Sequence, residues 1–146
     1  MNTLEIEKHL SNDVVCRRIF KGIYSRDNLP VVDVDSALII CNTDYRRGPG
    51  EHWVVFYFND NRGEYFDSFG RYPEEHFVKY LNANCSSWTF NKTQIQSIIS
   101  QFCGHYCILY AMFRARGLVL SRIVKLFTKD TGFNDSIVHN FVCNKT

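Results

Sequence analysis

Cys103 is the residue of this sequence with the clearest chemical potential, because it stands at the start of a predicted helix. Residues 102–116 carry apolar side chains on nearly every helical face until the last turn, which is typical of a helix buried at the centre of a domain. The free backbone N–H groups at a helix N-terminus favour an anion, so they lower the pKa of a thiol from about 8.5. Gly104 follows and leaves the backbone beside the sulfur unobstructed. The alternative interpretation of Cys103 is a buried core cysteine.

A nucleophilic thiol needs a base, and the sequence offers five histidines. His52 lies between a Gly-Pro-Gly loop and the first residue of a strong β-strand, which is a rigid mount for a catalytic side chain. His105 lies two residues from Cys103 on the same helix and therefore points to a different side. The others lie in predicted helices and are interpreted as surface or partly buried residues: His9, His76 and His139. An ordinary loop histidine is the alternative for His52.

Asp67 is the candidate for orienting the imidazole of His52. It lies near the end of a strand that is predicted to pair, across a turn at residues 59–63, with the strand that His52 precedes. Antiparallel pairing brings both residues to the same end of this hairpin, where a carboxylate can hold the histidine tautomer. Aspartate is unfavourable inside a strand, and the alternative is an Asp that opens a turn.

Gln96 is the candidate donor for a developing oxyanion, together with the backbone N–H of Cys103. Gln101 stands closer to Cys103 in the sequence and is the reserve for the same role. A polar surface glutamine is the alternative for both residues.

The elements that must position these residues are short strands and helices within a single domain, residues 1–146. Apolar β-branched and aromatic runs predict strands at residues 36–42, 53–58, 64–69 and 88–91. Helical patterns and end signals predict helices at residues 4–10, 73–81, 102–116, 121–127 and 135–143. The first helix is expected to bury Leu4 and Ile6, and Gly117 to end the central one. The predicted class is α+β, with a small mixed or antiparallel sheet packed against a buried central helix.

Composition and charge place few limits on partners. The 17 basic and 15 acidic residues leave a formal charge of +2, which neither demands nor excludes a nucleic-acid partner. The N-terminal segment is acidic and lacks the apolar run of a signal peptide, and no stretch approaches the ~20 apolar residues of a membrane span. We therefore expect an intracellular protein without a membrane partner, and the six cysteines to be mostly free thiols.

Four motifs in chain order resemble the adenovirus endopeptidase (adenain) family, which is similar to the proteases of virus-like DNA transposons and of ubiquitin-like proteins. The motifs are Gly50-Glu51-His52-Trp53, Phe66-Asp67-Ser68-Phe69-Gly70, Gln96, and Cys103-Gly104-His105-Tyr106-Cys107. The resemblance covers roughly residues 3–120, and the seven positions from Gln96 to Cys103 suit the adenain branch. The chain departs from the adenovirus pattern at Asp67, where a Glu is typical, and in residues 97–102, which lack the Asn-Ser-type loop.

The resemblance implies a cysteine endopeptidase with a papain-like active site in the adenain chain order. Cys103 would be the nucleophile, His52 its base, Asp67 the orienting acid, and Gln96 the oxyanion donor. Trp53 and Gly104 would bind substrate, and cleavage would follow small residues such as glycine. The chemistry would need no cofactor and no metal. The substrates would be viral or virus-like capsid precursors, met in the host-cell nucleus or cytoplasm or inside the virion.

Activating partners are also implied by the resemblance, because adenovirus enzymes are activated by a disulfide-linked viral peptide and by DNA. Cys85 stands eleven residues before Gln96, close to the position of the linking cysteine. Several basic clusters are available for weak binding of DNA: Arg17-Arg18, Arg46-Arg47, and the group of Arg114, Arg116, Arg122 and Lys125. An ordinary solvated surface is the alternative for these clusters.

Three rival functions follow from the same residues. A catalytically silent binding module would have no need to keep His52, Asp67, Gln96 and Cys103 together. An isopeptidase for ubiquitin-like tags shares the chemistry, but the short chain leaves little room for a large tag-binding surface. Metal binding through Cys103, His105 and Cys107 is disfavoured, because the histidine points away from the face that the two cysteines share.

Overall fold

A five-stranded mixed sheet forms the centre of the fold, with its strands in the spatial order β1-β2-β3-β4-β5. The strands are β1 (Phe20–Ser25), β2 (Ser36–Asn42), β3 (Trp53–Asn59), β4 (Arg62–Phe66) and β5 (Ser87–Phe90). The inner three are antiparallel, whereas β1 runs parallel to β2 and β5 runs parallel to β4. The computed structural model describes residues 1–48, 50 and 52–144, so Pro49 of the predicted loop and Glu51 of the histidine motif lie outside the described residues.

Helices cover both faces of this sheet. They are α1 (Thr3–Asn12), α2 (Glu75–Asn84), α3 (Cys103–Ala115), α4 (Leu120–Val124) and α5 (Thr131–Cys143), and a short 3₁₀ turn spans Cys16–Arg18. Helix α3 packs on one face with α1, α4 and α5 around it, and α2 packs on the other face through Phe77 and Leu81. Eight residues of α3 are buried. The predicted α+β class, with a small mixed sheet against a buried central helix, is confirmed.

The β3–β4 hairpin is set by a two-residue turn. Asp60 and Asn61 have φ values of 52° and 64°, and short polar residues accept this left-handed conformation best. The turn fixes the register that pairs Asn59 with Arg62 and Val55 with Phe66. The second strand was predicted to run to residue 69, but it ends at Phe66 because the chain turns there.

Helix α1 and strand β1 each differ from the sequence prediction for a local reason. Helix α1 starts with a capping box, in which the Asn2 side chain accepts from the Glu5 N–H and the Glu5 carboxylate accepts from the Asn2 N–H. The helix buries Ile6 and Leu10, whereas Leu4 is 76 % exposed, so the prediction for Leu4 was wrong. Strand β1 was not predicted, because its irregular register around Gly22 (φ 121°) removes the alternation of apolar and polar residues.

The end of α3 follows the prediction. Gly117 has a φ of 93°, and the Leu118 N–H donates to the Phe113 carbonyl at 3.0 Å, which is the pattern of a glycine-ended helix. No disulfide joins any of the six cysteines, all of which lie among the described residues. Among the described residues, no helix is both long enough and apolar enough to cross a membrane.

Candidate active site

The predicted site residues meet at one end of the sheet, where β3 begins, β4 ends and α3 begins. A cavity of about 730 Å³ opens there, and its lining includes His52, Trp53, Phe69, Gln96 and Cys103. Elements far apart in the chain supply these residues, so the site exists only in the folded protein. A reaction that uses these side chains would take place in this cavity.

His52 and Asp67 form a close pair at the mouth of the hairpin. The Nε2 atom of His52 lies 2.7 Å from Oδ1 of Asp67, and both side chains are largely buried. The same carboxylate oxygen accepts from the Phe69 N–H at 2.8 Å, and the Gly70 N–H donates to the Asp67 carbonyl at 2.7 Å. These bonds form the turn that ends β4 and fix the carboxylate toward the imidazole. The juxtaposition of His52 and Asp67 was inferred correctly from the hairpin.

Phe69 covers the imidazole ring of His52. Their ring centroids lie 4.6 Å apart with an interplanar angle of 21°, and the guanidinium carbon of Arg71 lies 4.6 Å from the centroid of the Phe69 ring. This stack leaves the imidazole little freedom to rotate away from Asp67. Because Nε2 contacts Asp67, Nδ1 is the nitrogen left to face Cys103.

Cys103 is the first residue of α3 and pairs with His52. Burial by itself would raise the pKa of this thiol, but the hydrogen bond and charge of His52 and the backbone N–H groups of Trp53 and Gly104 lower the pKa below its ordinary value. Burial disfavours the charged imidazole as well, yet the bonds to Asp67 and Cys103 raise the pKa of His52 to about 9. Both shifts favour a thiolate–imidazolium pair, which is a reactive nucleophile beside a proton donor.

Gln96 is fully buried beside the cavity, and its side-chain amide has three polar contacts. Its Oε1 accepts from the Ser68 hydroxyl at 2.5 Å, and its Nε2 donates to the Ser100 carbonyl at 3.2 Å and hydroxyl at 3.0 Å. The reserve candidate, Gln101, is exposed at the rim of the same cavity. The network orients the amide of Gln96 with its nitrogen away from Ser68.

The two residues predicted to bind substrate occupy different places. Trp53 lines the cavity, and its indole N–H donates to the Met1 carbonyl at 3.3 Å. Gly104 is buried, and an added Cβ would lie 3.2–3.4 Å from Met1, Ile6 and Trp53. Gly104 therefore allows α1 to pack closely on α3. This position disfavours a contact between Gly104 and a substrate.

Cys85, the predicted link to an activating peptide, lies away from this cavity. Its side chain is buried, and its thiol donates to the Leu81 carbonyl at 3.1 Å. Burial raises the pKa of the thiol, and an added Cβ on Gly63 would lie only 2.8 Å from the sulfur. A disulfide to another chain requires an accessible sulfur, so the burial of Cys85 weighs against that prediction.

Four residues that the sequence prediction did not single out contact the predicted site residues and support them. Asn91 and Ser68 are both buried and hydrogen-bonded to predicted site residues, and Phe69 and Ser100 contact His52 and Gln96. The only available signal was that Ser68 and Phe69 belong to the motif around Asp67. Within the described part of the chain, no group of three or more His, Cys, Asp or Glu side chains is arranged to hold a metal ion.

Several solved structures share the fold of this chain. Two crystal structures of the ASFV pS273R protease align with TM-scores of 0.68 and 0.69 at 16 % and 15 % identity, over 95 % and 94 % of this chain. ChlaDub1 from Chlamydia trachomatis aligns with a TM-score of 0.56 at 16 % identity, over 75 % of this chain and 58 % of its own. This chain spans 66 % of each pS273R chain. No protein-family model and no curated protein matches the sequence. At these identities the likeness shows the fold.

Proposed function

We propose that this protein is a cysteine endopeptidase that uses Cys103, His52, Asp67 and Gln96. One observation carries the proposal: the thiol at the N-terminus of α3 shares a cavity with a histidine whose Nε2 lies 2.7 Å from a buried carboxylate, and that histidine lowers the pKa of the thiol. The shared fold with the ASFV pS273R protease supports it. The arrangement has each part that acyl transfer by a thiol requires.

The proposed reaction begins with attack of the Cys103 thiolate on the scissile carbonyl carbon. The new C–S bond forms a tetrahedral intermediate, and its collapse breaks the C–N bond while imidazolium His52 gives its proton to the leaving amine. Neutral His52 then takes a proton from water, which attacks the thioester carbonyl to form a second tetrahedral intermediate. Collapse of this intermediate breaks the C–S bond, so that Cys103 leaves as the thiolate beside imidazolium His52, and the acid product is released as its carboxylate with loss of a proton to solvent. Asp67 holds the imidazole orientation throughout and stabilises its charged form.

Stabilisation of the tetrahedral oxygen is assigned to the Gln96 amide and the Cys103 backbone N–H. The Nε2 atom of Gln96 contacts the carbonyl and the hydroxyl of Ser100. The substrate oxygen would take the place of one of these acceptors as the tetrahedral intermediate forms. Gln101, at the exposed rim, stays the reserve for the same role.

The substrate class is an extension of this proposal. We take capsid precursors of a virus or virus-like element, cut after small residues such as glycine, as the first class to test, and the host-cell nucleus or cytoplasm or the virion as the location. Trp53 in the cavity wall supports a restricted site. An activating DNA would have to use the basic clusters, and an activating peptide would have to bind without using Cys85 as it stands in this structure.

The decisive experiment needs no substrate. Alkylation of Cys103 by iodoacetamide is followed against pH by mass spectrometry of the modified peptide, in the wild type and in His52→Ala. We expect a fast-reacting thiolate with a midpoint below ~8.5 in the wild type and an ordinary thiol in the variant. An ordinary thiol in both proteins, with and without added DNA and candidate peptides, would contradict the proposal.

The same preparation then tests the substrate. Glycine-containing precursor peptides and ubiquitin-like fusions are offered side by side, with Cys103→Ala as the blank. Cleavage of the peptides alone supports the endopeptidase, and cleavage of the fusions alone would identify an isopeptidase. Reactive Cys103 with cleavage of neither would leave a thiol site whose substrate lies outside both classes and would count against the capsid-precursor proposal.

A further inference from the structure

Two short segments behind the cavity are joined into one rigid unit. The first is residues 67–70, which follows β4, and the second is residues 91–96, which follows β5. The parallel pairing of β4 with β5 ends at Tyr65 and Phe90, so neither segment is held by the sheet beyond that point. Hydrogen bonds from side chains and from loop backbone continue the connection where the pairing of β4 with β5 stops.

Asn91 makes the first of these connections. Its Oδ1 accepts from the Asp67 N–H at 3.0 Å, and its Nδ2 donates to the Asp67 carbonyl at 2.6 Å. Both ends of one amide therefore bind both backbone groups of one residue, and both residues are buried. Such a two-point contact fixes the position and the orientation of the Asp67 backbone, and hence the direction of its carboxylate.

Ser68 makes the second connection. Its carbonyl accepts from the N–H groups of Ile95 and Gln96 at 2.9 Å and 3.1 Å, and its hydroxyl donates to Oε1 of Gln96 at 2.5 Å. The Ser100 carbonyl can only accept and therefore faces the amide nitrogen of Gln96, so the Ser68 hydroxyl at the other end of the amide donates to the oxygen. The nitrogen is thereby turned away from Ser68.

Gly70 shows how closely the two segments approach. It has a φ of 71°, and an added Cβ would lie 2.6–2.8 Å from backbone atoms of Thr93 and Gln94. No other residue fits at this distance without moving the backbone. The close approach keeps the two segments in one relative position.

We propose that Asn91 and Ser68 are positioning residues that act on different halves of the site. Asn91 holds Asp67, and through it His52, in the orientation that stabilises the Cys103 thiolate. Ser68 holds the Gln96 amide in the orientation that donates to an oxyanion. This inference deepens the proposed function and rests on it, and it makes the two halves separable by experiment.

Two reagents separate the halves because their transition states differ. Iodoacetamide reacts by displacement of iodide at a saturated carbon, so no oxyanion forms. With p-nitrophenyl acetate, the thiolate adds to the ester carbonyl and forms a tetrahedral oxyanion. The C–O bond then breaks, p-nitrophenolate departs, and an acetyl thioester remains on Cys103. Only the second reaction passes through a tetrahedral oxyanion and needs Gln96.

For Asn91→Ala we expect the midpoint of Cys103 alkylation by iodoacetamide to move up by about one pH unit, so that the rate at pH values below the wild-type midpoint falls about tenfold. Asn84→Ala is the matched control, because the Asn84 amide also bonds at both ends, accepting from the Val32 N–H and donating to the Tyr80 carbonyl, far from the cavity. Where Asn91→Ala does not fold, Asn91→Ser replaces it. An unchanged profile, or an equal shift in the control, would overturn the role of Asn91.

For Ser68→Ala we expect the alkylation profile to stay as in the wild type, while the acylation rate with p-nitrophenyl acetate falls about 10- to 100-fold, less than the loss of an entire oxyanion donor. Ser36→Ala is the matched control, because Ser36 likewise donates to an amide oxygen, that of Asn59. Unchanged acylation, or an equal loss in both assays, would overturn the role of Ser68.

Both assays report on Cys103 without a peptide substrate, with the signal of Cys103→Ala subtracted. A failure of the proposed function appears as a wild type that lacks a low-pKa thiolate. A failure of this inference appears as a wild type that has the reactive thiolate and variants that do not divide between the two assays. The two failures are therefore distinguishable.

Discussion

Each end of α3 lies beside a largely buried carboxylate that is paired with a basic side chain, and only one of these pairs includes a group that can transfer a proton. At the start of the helix, Asp67 contacts His52 at 2.7 Å. Near the other end of the helix, the carboxylate of Glu64 accepts from the Arg114 guanidinium at 3.1 Å and from the Tyr110 hydroxyl at 2.5 Å. Both carboxylates come from the β4 region, and all four charged side chains are at most 16 % exposed.

The difference between the pairs lies in the proton. A guanidinium stays protonated at every accessible pH, so Arg114 can hold Glu64 but cannot transfer a proton. An imidazole titrates near neutral pH, and His52 keeps a second ring nitrogen for Cys103. One pair therefore fastens the helix to the sheet, whereas the other is the pair to which the proposed mechanism assigns the preparation of the nucleophile.

The cavities beside the two pairs are similar in volume but differ in the residues that line them. The cavity beside Glu64 and Arg114 has a volume of about 620 Å³, close to the 730 Å³ at the other end. Its lining, taken from the described residues, contains neither cysteine nor histidine. The volumes of the two cavities therefore do not distinguish the two ends of α3. The thiol of Cys103 at the helix N-terminus distinguishes them.

The largest expected effect comes from removing the thiol. Cys103→Ala should lower hydrolysis by a factor of at least about 10⁴, because the nucleophile is lost, while the melting temperature stays within a few degrees of the wild type. Arg114→Met, at the other end of α3, should retain kcat at the wild-type level in its folded fraction. Peptide hydrolysis and thermal unfolding of both variants test this, and retained hydrolysis in Cys103→Ala would exclude Cys103 as the nucleophile.

Asp67→Asn should produce the second largest effect. The amide keeps the shape of the side chain, but it no longer stabilises the imidazolium of His52, so kcat/KM should fall about 10²- to 10³-fold. The measurement is steady-state hydrolysis with a peptide that the wild type cleaves. A variant as fast as the wild type would show that the carboxylate only supports the turn.

The same isosteric change at the other end should affect stability instead. Glu64→Gln leaves the largely buried Arg114 without its counter-charge and should cost about 2–3 kcal/mol of unfolding free energy, with kcat unchanged. Urea denaturation gives this value, and the double variant Glu64→Gln/Arg114→Met should lose less than the sum of the two single variants. Additive losses would mean that the two side chains do not stabilise the fold as a pair.

A smaller and reversible effect is expected from pH. The folded pKa of His52 is raised to about 9 from an ordinary 6.5, so its contribution to stability is full below about 6.5 and is lost as pH rises through about 9. Above that pH, kcat/KM should fall about tenfold per unit, because the leaving amine loses its proton donor. A pH–rate profile tests this, and a profile that stays flat through pH 10 would contradict the assignment of His52.

The smallest effect is expected at Cys85. Because its thiol is buried and its pKa raised, it should react with iodoacetamide more slowly than Cys103 and the exposed Cys143. Cys85→Ala should leave hydrolysis unchanged with and without candidate activating peptides. Labelling of the native protein followed by mass spectrometry measures the relative reaction rates of the cysteines. If a peptide activates the wild type but not Cys85→Ala, the prediction of a disulfide at Cys85 would be supported after all.

Local sequence was sufficient for the parts of the site that depend on neighbours in the chain. The hairpin turn at residues 59–63 is built from residues that accept a left-handed conformation, so the meeting of His52 with Asp67 followed from counting along two strands. The helix that begins at Cys103 followed from a run of apolar side chains on nearly every helical face, which reflects burial of a whole element.

Contacts between distant segments lay beyond that reasoning. The clamp of Asn91 on Asp67, the bond from Ser68 to Gln96 and the burial of Cys85 depend on where two elements come to rest against each other. Hydrogen bonds of this kind have no period and no fixed spacing in the chain, so no local pattern announces them. Residue types and their order specify which chemistry this chain can perform, and packing specifies which side chains hold it in place, because the position of a buried amide is set by all the elements around it at once.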